Sequence, residues 1–121
     1  MTESLAKESS PSADLALEYM VVLVTCPQDG AQQMAQTLVS ESLCACVNIL
    51  ANIRSVYRWQ GEVTSEEESL LVMKTMGKMY DRLEARIKEI HPYDVPEVIG
   101  LKIERGSESY LDWLSKSMAT A

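Results

Sequence analysis

The chain has 121 residues, 46% of them hydrophobic and none of them Phe, which suits one domain whose core is built from Val, Ile, Leu, Met and Ala. A net charge of −7 repels phosphate backbones and anionic lipid heads, so nucleic acid and membrane surfaces are excluded as expected partners. Three Cys, an odd number, and an N-terminus without a basic segment leading into an apolar one point to a reducing, cytoplasmic setting.

Met1–Glu18 mixes Ser, Pro, Ala and scattered charge without periodicity and reads as a disordered N-terminal tail, leaving one domain over 19–118. From Tyr19 to Thr25 the run YMVVLVT, stopped by Cys26-Pro27, has the length and Val content of a strand buried on both faces. It is far too short to span a bilayer. Ala31, Met34, Ala35, Leu38 and Val39 then recur at helical spacing, which predicts an amphipathic helix over Gln28–Leu43.

Between Ala45 and Trp59, Val47, Ile49, Ala51, Ile53, Tyr57 and Trp59 share one parity while Asn48, Asn52, Arg54 and Arg58 share the other, the pattern of a long strand with one wet face. Gln60-Gly61 is a turn signal and Glu62–Thr75 the returning strand. Strands usually run roughly five to six residues, and these are about twice that. A two-residue loop sets Ile49 against Val72 and Ala51 against Leu70, but also Ile53 against Glu68 and Val47 against Lys74, which places charge on an apolar face. A β-bulge, or Lys74 reaching solvent from the strand end, resolves the conflict within one subunit; a polar pocket or subunit seam is the alternative.

Beyond Gly77, Met79, Tyr80, Leu83, Ile87 and Ile90 form the apolar stripe of a second helix. It ends at His91-Pro92, because proline has no amide hydrogen and pushes His91 out of the helical region. Val98–Ile103 is a fourth strand, and Ser107 caps a last helix striped by Tyr110, Leu111, Leu114 and Met118. The order βαββαβ plus a C-terminal helix is the α+β, ferredoxin-like arrangement, with two helices on one face of a four-stranded antiparallel sheet. An uncovered face and an over-long ribbon both need a neighbour, and a closed homo-oligomer supplies one.

Chemistry is sparse. Cys44-x-Cys46 could grip a soft ion such as Cu(I) if both thiols share a strand face, though buried inert Cys is the alternative for each. Met73, Met76 and Met79 offer thioethers, but their spacing straddles a strand end and a helix start, which favours core filling. His91, with Asp94 and Glu97 nearby, is a ligand type suited to divalent Cu, Zn or Ni; a His at a helix end also serves as a cap for carbonyls. No nucleophile elbow, zincin, phosphate-loop or dinucleotide motif occurs, so neither an enzyme nor an organic cofactor is expected.

SVYRWQGEV (Ser55–Val63), EESLLVMKT (Glu67–Thr75), HPYDVPEVI (His91–Ile99) and YLDWL (Tyr110–Leu114) stand in the order seen in the CutA divalent-cation tolerance family. The resemblance extends from Met20 to Met118. It implies a PII-like homotrimer joined by its long hairpins, with clefts between subunits walled by Tyr57, Trp59, Glu68, Lys74, His91, Tyr93 and Trp113. It also implies a metal-responsive role, with copper or another divalent cation as the ion bound, and His91 and Cys46 as the residues onto which a copper role carries over. The alternative is a PII-like signalling trimer that takes a small metabolite in the same cleft. An anionic metabolite would draw on Lys74, whereas a metal needs softer or borderline ligands.

Overall fold

A computed structural model describes residues 19–119 of the chain; the expected N-terminal tail lies outside them. Chain order is β1 (Tyr19–Cys26), α1 (Ala31–Ser40), β2 (Cys46–Trp59), β3 (Glu62–Met76), a 3₁₀ turn (Gly77–Met79), α2 (Tyr80–Ile90), β4 (Val98–Lys102) and α3 (Glu108–Met118). The four strands form one antiparallel sheet in the order β2-β3-β1-β4. This is the ferredoxin-like α+β fold expected from the element order.

The core lies on one face of that sheet. Val22, Val24 and Cys26 of β1 pair with Met73, Leu71 and Ser69 of β3 and point to the helices. Ala31, Met34 and Leu38 of α1 and Leu83 and Ile87 of α2 close over them. Strand alternation puts Val21, Leu23, Ile99 and Leu101 on the opposite face, where Ile99 and Leu101 remain 47% and 50% exposed. At the end where Tyr19 pairs with Met76, α3 docks Leu114 and Met118 onto Met76 as a small second core.

Local chemistry explains the boundaries. The first helix is shorter than Gln28–Leu43 because Gly30, at φ 90°, starts it and a Schellman motif ends it. Ser42 takes the left-handed position at φ 60°, its N–H meeting the Val39 carbonyl, while the Leu43 N–H reaches back to Leu38. Gln60 and Gly61 are both left-handed, at φ 51° and 82°, as a type I′ hairpin turn requires. Ser107 caps α3 as expected, accepting the Tyr110 N–H at 3.1 Å.

The hairpin register differs from the expectation in its proximal half. Trp59↔Glu62 through Ile53↔Glu68 hold, but Leu50 faces Leu70, Ile49 faces Leu71, Val47 faces Met73 and Cys46 faces Lys74. The cause is a β-bulge in which Ala51 and Asn52 together oppose Ser69, with Asn52 at φ 63°. It removes Lys74 from the core face and leaves Val47 against buried Met73, while Glu68 still faces Ile53.

Candidate functional site

The bulge has a consequence for side-chain direction. Even-numbered residues of β3 point to the sheet face away from α1 and α2 along its whole length. From β2 that face receives Cys46, Asn48 and Leu50 before the bulge, and Ile53, Ser55 and Tyr57 after it. Tyr57 is thereby brought to Glu66, with which it shares a hydrogen bond that, ahead of desolvation and the charges of Glu66 and Glu68, raises its phenol's pKa.

Tyr93, in the corner after α2, completes this cluster. Its hydroxyl lies 2.8 Å from Glu68 Oε2 and 3.3 Å from Glu66 Oε1. Burial first, then the bond to Glu68 and both carboxylate charges, hold the Tyr93 phenol well above its usual range. Glu68 is only 4% exposed, and among the described residues no Lys or Arg forms an ion pair with it. Its charge also adds to desolvation in raising the pKa of the buried Cys26 thiol.

His91 holds the corner in place. Its Nδ1 accepts the Tyr93 N–H at 3.1 Å, so the other nitrogen, Nε2, carries the hydrogen donated to the Thr25 carbonyl at 2.8 Å. The rings of His91 and Tyr93 are 4.7 Å apart. The imidazole thus ties the helix-to-strand corner to β1 rather than capping the last carbonyls of α2, and both of its nitrogens are occupied. Asp94 and Glu97 are exposed.

The other residues singled out from the sequence lie elsewhere in the protomer. Lys74 is six residues along β3 from Glu68, about 20 Å in a strand, and its ammonium donates to Asn48 Oδ1. Cys46 pairs with Lys74, whereas His91 bonds the strand row of Thr25 and Leu70, four residues away along β3 or about 13 Å. Trp113 stacks at 5.5 Å against Tyr110, whose phenol is raised by burial first and then by Cys46. Trp59 stands at the ribbon tip, 61% exposed.

The two thiols of Cys44-x-Cys46 do not form a pair of strand-face ligands. Cys44 precedes β2, is buried in the main core, and is pushed up to about 12 by desolvation and then by Cys46. Met73 belongs to the main core and Met76 to the second, with Met79 touching both, so that spacing serves packing. Among the described residues no three His, Cys, Asp or Glu side chains stand together as a metal group. A separate cleft of about 310 Å³ between α1 and α2 includes Asp29, Gln33 and Arg86, but the guanidinium is already engaged by Glu41 and Glu89.

Glu66 is the member of the cluster that the sequence reading passed over. Its signal was present: Glu66-x-Glu68 in a strand puts both carboxylates on one face.

Residues 20–117 match the family described as CutA1 divalent ion tolerance protein. The divalent-cation tolerance protein CutA of Thermus thermophilus is 47% identical over 80% of this chain and 95% of its own length. The chloroplastic CutA of Arabidopsis thaliana is 46% identical over 81% of this chain but 54% of its own length. The crystal structure of CutA1 from Oryza sativa superposes with a TM-score of 0.83 at 42% identity, covering 88% of this chain and 99% of that one. A structure described as the periplasmic divalent cation tolerance protein CutA from Archaeoglobus fulgidus gives 0.80 at 29% identity, covering 83% and 98%. With the ferredoxin-like sheet, the hairpin and the His91 corner all falling within the matched segment, the chain belongs to the CutA1 divalent ion tolerance family.

Proposed function

We propose that this chain acts by binding rather than catalysis, as a metal-responsive homotrimer that takes copper or another divalent cation in clefts between its subunits. The observation that carries this reading is Glu68, a carboxylate that is 4% exposed, held by the Tyr93 phenol and, among the described residues, in no ion pair with a cation. A buried charge without an opposite charge is costly, so its partner comes from outside. Glu66, Glu68 and the two phenols offer oxygen donors from one side only, and a complete coordination shell needs donors from a second subunit.

The surface supports association. Ile99 and Leu101 on the uncovered sheet face, and Val56, Trp59 and Val63 on the ribbon, are large exposed apolar groups. In this reading the cleft walls are Tyr57, Glu68, His91 and Tyr93 of one subunit, with Lys74, Trp59 and Trp113 contributed by a neighbour. His91 serves as a metal ligand only by giving up the Tyr93 N–H or the Thr25 carbonyl, and Cys46 shares an ion with it only across a seam. No helix among the described residues is long and apolar enough to cross a membrane, and three free thiols suit a cytoplasmic setting.

Native mass spectrometry with Cu(II) titration tests the proposal on wild type, Glu68→Gln and His91→Ala. Trimers whose copper stoichiometry or affinity falls at least tenfold in Glu68→Gln are expected. A monomer at micromolar concentration, or identical copper binding in all three proteins, would remove it. The second reading, a signalling trimer that takes a small anionic metabolite in the same cleft, would draw on Lys74, whose ammonium gives one of its three donors to the neutral Asn48 Oδ1 and keeps its charge.

A further inference from the structure

Ordinary strand alternation would send Tyr57 the wrong way. Val47, Ile49 and Tyr57 have the same parity, yet Val47 packs against the main core while Tyr57 lies with Glu66 on the opposite face. The whole difference arises at Ala51 and Asn52, where one residue is added to β2 without a counterpart in β3.

Two features hold that extra residue. Asn52 sits at φ 63°, in the left-handed region that Asn tolerates and β-branched residues do not. Its amide donates to Gln28 Oε1 at 2.7 Å, a contact spanning 24 residues. Gln28 is itself set by the turn that opens α1, where its carbonyl accepts the Ala31 N–H at 3.3 Å. A side chain from the start of the first helix therefore fastens the middle of the ribbon.

The competing arrangement is easily described. If the proximal pairing ran on without a bulge, Asn52 would face Glu68 and Arg58 would face Glu62, leaving a three-residue loop. Tyr57 would then pair with Val63 and point to the helix side, away from Glu66 and Glu68. A ribbon with apolar and charged groups on both faces does little to forbid such a slip.

We infer that Gln28 and Asn52 are positioning residues for the candidate site, the Gln28–Asn52 hydrogen bond locking the bulge that turns Tyr57 onto the Glu66–Glu68 face. This rests on the proposed reading for the site's purpose, though the positioning itself is internal to the fold. It separates two roles within one hairpin: the proximal half completes the core, and the distal half presents a binding wall.

The test uses the full isotope-labelled chain and nuclear Overhauser contacts of the Tyr57 ring, whose signals are assigned by their loss in Tyr57→Phe. Wild type and Asn52→Gly, which keeps the left-handed backbone, are expected to show that ring against the Thr64 and Glu66 side chains, as the Tyr57↔Thr64 register requires. Asn52→Val is expected to lose those contacts and gain contacts to the Val63 methyls while circular dichroism still shows a folded protein. Gln28→Ala is expected to speed exchange of the Asn52 amide about fivefold, the equilibrium worth of one hydrogen bond. Identical Tyr57 ring contacts in folded Asn52→Val and wild type would overturn the inference. Should Asn52→Val not fold, unchanged Asn52 exchange in Gln28→Ala would do the same. Copper binding is scored separately: its insensitivity to Glu68→Gln counts against the proposed function, and the Tyr57 ring contacts against the positioning role alone.

Discussion

Replacing Tyr93 by Phe removes one hydroxyl and little else. That hydroxyl is 2.8 Å from Glu68 Oε2 and 3.3 Å from Glu66 Oε1, and Glu68 is buried. Losing a hydrogen bond to a charged group costs about 1.5–3 kcal/mol, more than a neutral one, because the carboxylate loses its donor where water does not replace it. For a domain of this size that corresponds to a fall in melting temperature of about 10 °C. The pH dependence is the sharper signature. The folded-state pKa of Tyr93 is raised above its ordinary value of 10.0, so its contribution is fully present below pH 10 and is lost as pH rises above it, where the unfolded chain ionises first. Tyr93→Phe lacks that loss, so the gap between the two proteins should narrow from pH 10 upward. Thermal unfolding by circular dichroism at one fixed protomer concentration, from pH 8 to 11, measures both effects. Equal stability at pH 8, or curves that stay parallel through pH 11, would refute the assignment of Tyr93 as the phenol that satisfies Glu68.

Three further outcomes follow from other parts of the fold. Ser42→Gly should stabilise the protein by about 0.5–1 kcal/mol in urea unfolding, since the left-handed position in the Schellman motif suits glycine. The hydrogen bond to Arg86 lowers the Glu41 carboxyl below 4.5, so this pair stabilises above that pH and its contribution disappears as pH falls further. Arg86→Met should flatten the acid limb of the stability profile, and an unchanged limb would show that the pair contributes nothing there. Iodoacetamide at pH 8 should spare Cys44, whose buried thiol is pushed up to about 12, while urea makes it reactive; peptide mass mapping distinguishes the sites.

Much of this protein was legible in sequence because its signals are local. A seven-residue apolar run ending at Cys26-Pro27, the positive-φ turn at Gln60-Gly61, the Ser107 cap and the His91-Pro92 helix stop each depend on a few adjacent residues and on steric rules that hold in any context. The order of those elements was enough to specify a ferredoxin-like sheet, and the four spaced motifs were enough to suggest the family.

The register conflict was legible, and a β-bulge was among its readings, but the position of the bulge at Ala51 and Asn52 was not. Ala51 and Ile53 keep the two-residue rhythm across it, so the strand reads as unbroken, and only the pairing partner reveals that Ala51 and Asn52 share Ser69 as their one opposite residue. The same limit applies to the candidate site. Tyr93 and Glu68 meet across 25 residues, and His91 reaches the Thr25 carbonyl across 66. Sequence alone therefore determined which segments become strands and helices, through torsional preferences and apolar rhythm. Tertiary structure decided which way the ribbon faces and which carboxylate is buried, because register and burial are properties of two chain segments in contact and neither segment encodes them alone.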